Sequence, residues 1–268
     1  MPRCKFALAM VGEYVTAGAY DSSRSYLIVI HAIHYTGMYG VGQEFCYTTT
    51  MYFESRAAAG QKLAEQLLEK YRYEDCAVLA LSDGAVLVGE PIAAALHSVL
   101  TMLLVEAVEI PGEGINIGGL NQSGRFTYNG MLSAGEIEGF RQEYFGYFEE
   151  KKREGMMRIN RLLGDGGLVN KDLLKGRNII LVSDGFHDAA SLDVAMDFLK
   201  PISTQKIIVA TPTATVPAVD RLHITVDEMY ILDVKENFMG VDHYYEDNVV
   251  PSHEDTVKKI NDIILNWQ

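Results

Sequence analysis

From Ser55 onward the apolar positions of the chain alternate between two periods. Ala57 to Tyr71 places them at helical spacing, and Cys76 to Leu81 is an unbroken apolar run of strand length. Gly89 to His97 is helical again, and Leu100 to Val105 is a second strand. Further on, Ile179 to Val182 is a β-branched run of the kind buried in a parallel sheet, and Ser191 to Leu199 (SLDVAMDFL) returns to helical spacing. Helices and strands in this order predict an α/β domain with helices covering a parallel sheet. The first fifty residues differ: aromatic and β-branched alternation broken by glycines predicts strands over Cys4 to Val11, Tyr26 to Tyr35 and Gln43 to Met51, with turns at Ala17 to Ser25 and Gly37 to Gly42. The expected organisation is a β-rich N-terminal extension, 1–50, followed by an α/β domain, 51–268. Leu27, Val29, Ile33 and Phe45 of the extension need burial against the domain or a second subunit, because two or three strands alone are marginal in water.

Ser133 to Leu163 holds a long polar helix, Glu136 through Arg161, with Phe140, Tyr144, Phe145 and Phe148 at helical spacing. Those aromatics read as core or dimer-contact residues rather than a base-stacking platform. Pro111 to Leu120 (PGEGINIGGL) is glycine-rich but lies between two strand-like runs. A dinucleotide loop needs a strand before it and a helix opening within it, so this segment is a turn.

Composition narrows the partners. At 268 residues and 48% hydrophobic the chain can bury one large core. A net charge of −13 argues against a nucleic-acid partner, which needs a basic face. Cys4, Cys46 and Cys76 are far apart with no metal-type spacing, which suits reduced thiols of a cytoplasmic protein. No signal-type leader is present, and the apolar run Leu27 to Ile33 is too short for a bilayer. His31 and His34, three apart on a strand, point to opposite faces and cannot share a metal, while His223, His243 and His253 lie in unrelated segments.

The chemistry concentrates between Arg177 and Ser191 (RNIILVSDGFHDAAS), where an apolar strand ends in an acidic turn leading into a helix. Backbone N–H groups and the positive end of the helix dipole can hold an anion there. For Asp184 two roles stand side by side: charge partner of the helix N-terminus, read from its position, and ribose or metal contact, which the family resemblance of these same residues implies. His187 can donate to a bound anion.

These residues resemble the type I phosphoribosyltransferases, whose fingerprint is an apolar strand, two acidic residues, a loop ending Thr-Gly, and a helix. FESRAAAGQKLA over Phe53 to Ala64 is similar to the opening helix of stand-alone bacterial relatives, Phe-x-x-Arg-x-x-Ala-Gly-x-x-Leu-Ala. Val78 to Gly89, Lys206 to Pro212 and Phe238 to Asp247 follow in the family's order. The resemblance implies a type I phosphoribosyltransferase-like parallel sheet flanked by helices, with the glycine-rich segment 111–120 in a mobile flap and hairpin near the substrate. By the same resemblance Asp184 is the catalytic residue and holds the ribose. Ser183, at the other position of the acidic pair, also belongs to the substrate site; the donor's 5'-phosphate lies on Gly185, Phe186, His187, Asp188 and Ala189, aided by Ser191, and its pyrophosphate on Ser82, Asp83, Gly84 and Ala85.

At the family's contact points this chain has lost basic and hydroxyl groups. Ser183-Asp184 stands for the acidic pair, Asp188-Ala189 for Thr-Gly, Ser82 to Ala85 for Pro-Arg-Gly-Gly, and Glu106-Ala107 for Arg-Lys. Carboxylates facing a tetra-anionic donor are unfavourable. The expected function is therefore a phosphoribosyltransferase-like protein with a degraded phosphoribosyl pyrophosphate site and a non-catalytic binding or regulatory role. Its partner would be a small phosphorylated molecule or a protein, its state a homodimer, with no nucleic acid or membrane. The alternative is an active phosphoribosyltransferase with a rearranged donor site, which would use Mg2+.

Overall fold

The computed structural model describes residues 6–11, 14–21, 24–25, 28–30, 52–164 and 169–265. Near the N-terminus, β1 (Phe6–Val11), β2 (Tyr14–Asp21), β3 (Arg24–Ser25) and β4 (Ile28–Ile30) form an antiparallel sheet in which β2 pairs with the other three. The turn expected over Ala17 to Ser25 is mostly strand, because β2 pairs with β1 from Phe6 opposite Ala19 to Val11 opposite Tyr14. The strand expected over Gln43 to Met51 lies outside the described residues, as do Cys4, Cys46, His31 and His34.

After α1 (Arg56–Tyr71) come β5 (Cys76–Ala80), α2 (Asp83–Leu96) and β6 (Val99–Met102). A three-stranded antiparallel sheet follows, β7 (Val105–Glu109), β8 (Asn116–Asn121) and β9 (Phe126–Tyr128), then α3 (Ala134–Glu143) and α4 (Phe145–Gly164). The chain returns through β10 (Asn178–Val182), α5 (Ala190–Leu199), β11 (Ile207–Thr215), α6 (Val216–Thr225), β12 (Glu228–Lys235) and α7 (His253–Leu265). The central sheet has the order β12-β11-β10-β5-β6, every pair parallel.

Strand alternation divides the core in two. Val78, Ala80, Ile180, Val182, Ile208 and Ala210 pack with apolar residues of α1 and α2, including Leu63, Leu67 and Ile92. Their neighbours Ala77, Leu79, Ile179, Leu181 and Val209 pack with Leu192, Phe198 and Leu222 of α5 and α6. Both faces are covered, so these strands carry no polar alternation and read as continuous apolar runs. On one face α1 and α2 approach to backbone contact: a Cβ on Gly60 would lie 2.3 Å from the Val88 carbonyl oxygen, which only glycine permits.

Three boundaries differ from expectation. Helix α2 begins six residues before Gly89, because the Ser82 hydroxyl accepts from the Ala85 N–H at 2.9 Å and caps it. The strand expected over Leu100 to Val105 is divided between β6 and β7. The long polar helix is broken at Tyr144, which lets Phe140, Tyr144, Tyr147 and Phe148 join Val108, Ile110 and Ile117 in a separate core beneath the antiparallel sheet. Phe148 is thus core, whereas Phe145 is 64% exposed.

Cys76, buried at the start of β5, should be inert in the folded state. Burial, with help from the nearby Glu74 and Asp75 charges, pushes its thiol up to about 11. Since the thiolate is the reactive form, iodoacetamide at pH 8 should leave Cys76 unmodified in the native protein and modify it after denaturation, as read by peptide mass spectrometry. Equal labelling in both states would contradict that burial.

Candidate functional site

The acidic turn after β10 lies at the carboxyl end of the parallel sheet, where α/β proteins bind ligands. Its backbone is stitched to the tip of β11: the Phe186 N–H donates to the Thr213 carbonyl at 2.9 Å, and the Thr215 N–H donates to that of Phe186 at 3.0 Å. The Ser183 hydroxyl accepts from the Gly185 N–H at 3.2 Å. Asp188 accepts the Ala190 N–H at 2.9 Å, so a carboxylate of the chain itself occupies one amide at the start of α5. The amides of His187, Asp188 and Ala189 have no protein acceptor among the described residues.

Asp184 is held by an ion pair. Arg56 at the start of α1 donates through Nε to Asp184 Oδ2 at 2.9 Å and through Nη2 to Asp242 at 2.5 Å. The guanidinium is only 2% exposed and lies 4.6 Å from the centre of the Tyr245 ring. The Ser82 hydroxyl donates to the other Asp184 oxygen at 3.1 Å, and the Tyr245 hydroxyl to the Asp184 carbonyl at 2.5 Å. Burial by itself would lower the Arg56 pKa, but hydrogen bonds to Asp184 and Asp242 outweigh it and hold it above the ordinary value. Burial and then the Asp184 charge push the Tyr245 phenol up as well. Asp184 is therefore an ion-pair partner joining α1, the β10 turn and the C-terminal segment, a role neither expectation gave it.

Beside the turn, a cleft of about 430 Å³ opens between the β7–β8 hairpin, the start of α5 and the segment after β12. Gly185, His187, Asp188 and Ser191 line it, joined by Glu109, Asn116 and Phe238 among others. The His187 and Phe238 rings lie 5.5 Å apart, forming an aromatic side. Gly112 and Gly114 take left-handed backbone, with φ of 79° and 64°, in the turn between β7 and β8, so the glycines serve a hairpin.

The remaining expected residues lie elsewhere. Phe186 and Ala189 are buried in the core behind the turn. Asp83 pairs with His253 Nδ1 at 3.1 Å, and Glu106 with Arg158 of α4 at 2.9 Å; neither lines the cleft. Gly84 is a packing residue, since a Cβ there would lie 2.2 Å from Asp184 Oδ2. The segment after β9 is tied to α5: Asp193 accepts from the Gly130 N–H at 2.8 Å and pairs with Arg221.

A resident Mg2+ does not fit these donors. The Asp184 oxygens are taken by Arg56 and Ser82, and among the described residues no group of three His, Cys, Asp or Glu side chains could hold a metal. Arg56 and Asp242 were overlooked as site residues although both lie in segments that carried the resemblance. The signal was there: an arginine followed by Ala57 to Ala59 at a helix start predicts a buried cation in need of acids. Asn116 and Phe238 lie in the glycine-rich segment and in the last block of the resemblance but were not singled out there, and Glu109 had no motif to mark it.

Among the described residues no helix is long and apolar enough to cross a membrane. No family model matches the sequence. The crystal structure of TT1426 from Thermus thermophilus is similar at 26% identity with a TM-score of 0.60, covering 81% of this chain and 99% of that one. A hypoxanthine phosphoribosyltransferase from Staphylococcus aureus is similar at 8% identity and a TM-score of 0.40, over 70% of this chain and 78% of that one. A purine phosphoribosyltransferase from Pyrococcus horikoshii is similar at 13% identity and 0.38, over 72% and 98%. The chain has an α/β fold, a five-stranded parallel sheet flanked by helices, and is similar in structure to TT1426 over most of its length.

Proposed function

We propose that this protein is a non-catalytic representative of the phosphoribosyltransferase fold that binds a small ligand in the cleft between the β7–β8 hairpin and α5. One observation carries the reading: the described lining includes the acidic residues Glu109 and Asp188 and no lysine or arginine. Like charges about 4 Å apart near a protein surface repel by about 4 kcal/mol. A donor with a diphosphate and a 5'-phosphate would meet that repulsion with no cation from these walls to offset it. Asp184, the acid that would hold the ribose, is already bound to Arg56.

Calorimetric titration of phosphoribosyl pyrophosphate with Mg2+ into the full chain tests this, and no heat of binding is expected. Sub-millimolar binding would sink the proposal and leave the alternative, an active phosphoribosyltransferase with a rearranged donor site. The three amides at His187, Asp188 and Ala189, without protein acceptors among the described residues, are the feature that favours that alternative and a phosphorylated ligand.

A further inference from the structure

We propose that the exposed face of α4 is an interface between two copies of this chain, paired antiparallel about a two-fold axis level with Lys151. The proposal is independent of what the cleft binds. Helix α4 runs from Phe145 to Gly164 and buries Phe148, Gly155 and Ile159. The opposite side, followed at helical spacing through Gly146, Glu149, Arg153, Met157 and Asn160, is exposed. At its margins Phe145 is 64% and Met157 59% exposed, two large apolar side chains near the ends of an otherwise charged surface. Single exposed apolar residues are ordinary on a monomer, but the placing of these two matches the charges between them.

Those charges identify the partner as a second copy. In a two-fold contact one patch meets itself, so the patch must be its own complement. Two α4 helices laid antiparallel and centred on Lys151 set level with each other the residues that stand equally far before and after it. Phe145 then meets the partner's Met157, Glu149 the partner's Arg153, and Glu150 the partner's Lys152, each pair occurring twice. Every pair is complementary: apolar on apolar, with the thioether against an aromatic ring, and acid on base. Parallel pairing would instead set Glu149 on Glu149 and Arg153 on Arg153. Glu150 and Arg153 form no ion pair among the described residues. Glu149 engages Lys152 of its own helix at 3.0 Å, and a carboxylate can accept from a second donor. The matched stretch is about 18 Å long, at the small end of specific interfaces, which sets the expected dissociation constant at about 10 to 100 μM.

Sedimentation equilibrium of the full chain, from micromolar to sub-millimolar concentration in low salt, measures the association; low salt is chosen because exposed pairs are screened. The parent chain should pass from monomer to dimer across that range. Glu149→Arg and Arg153→Glu should each weaken the dimer about tenfold or more, since each turns two attractive pairs into repulsive ones. An equal mixture of the two variants should dimerise at least as well as the parent, because each supplies the charge that the other has lost. Only the antiparallel two-fold arrangement predicts that recovery. Both positions are exposed, so the melting temperature of each variant should stay near that of the parent. Should either variant fail to fold, Glu150→Lys, which sets like charge against the partner's Lys152, replaces it with the same expected loss. The proposal is overturned by a parent chain that stays monomeric throughout, by a dimer indifferent to the charge reversals, or by a mixture that associates no better than its two components.

Discussion

Asp184→Ala should lower the stability of the folded chain by about 3 kcal/mol or more, because it leaves a buried guanidinium without its inward partner. For a protein of this size that is a fall of roughly 6 °C or more in melting temperature. Arg56 is 2% exposed, and its other carboxylate, Asp242, is 72% exposed and better solvated, so it cannot compensate fully. Among the described residues Arg56 Nη1 is buried without a hydrogen-bond partner, which makes the cation more dependent on Asp184. The double variant Arg56→Leu with Asp184→Leu should lose less than Asp184→Ala, since replacing both charges avoids stranding one. Thermal denaturation of the three proteins decides. An Asp184→Ala protein that melts with the parent would show that the carboxylate is free, and would return it to a ligand-binding role.

Phe186→Ala should cost about 3–5 kcal/mol, the usual range for emptying a buried phenylalanine site. The side chain is 1% exposed and belongs to the core cluster that contains Leu181, Leu192, Val209 and Ala214. His187→Ala, one residue on and with its side chain 62% exposed, should change stability by no more than about 0.5 kcal/mol. The contrast separates two adjacent positions that the family resemblance had assigned to one ligand. Denaturant unfolding of both variants measures it; a Phe186→Ala protein as stable as His187→Ala would mean the turn is not anchored in the core.

What the sequence determined by itself was local and periodic. The apolar runs at Cys76 to Leu81 and Ile179 to Val182, and the helical spacing over Ala57 to Tyr71 and Ser191 to Leu199, each survive as an element, because burial on both faces of a parallel sheet leaves an unbroken apolar record. The turn between β10 and α5 was legible for the same reason: a strand must stop and a helix must start there. Boundaries set by a single cap or bend, Ser82 for α2 and Tyr144 between α3 and α4, were not, since one hydroxyl or one residue of backbone carries too little pattern to read. The tertiary structure alone decided the site. It brought Arg56 across 128 residues to Asp184, set Glu109 and Phe238 beside His187 and Asp188, and turned Phe186 inward. Pairings over such separations leave no periodic trace, because they depend on where elements cross in space and not on the spacing of residues along any one of them.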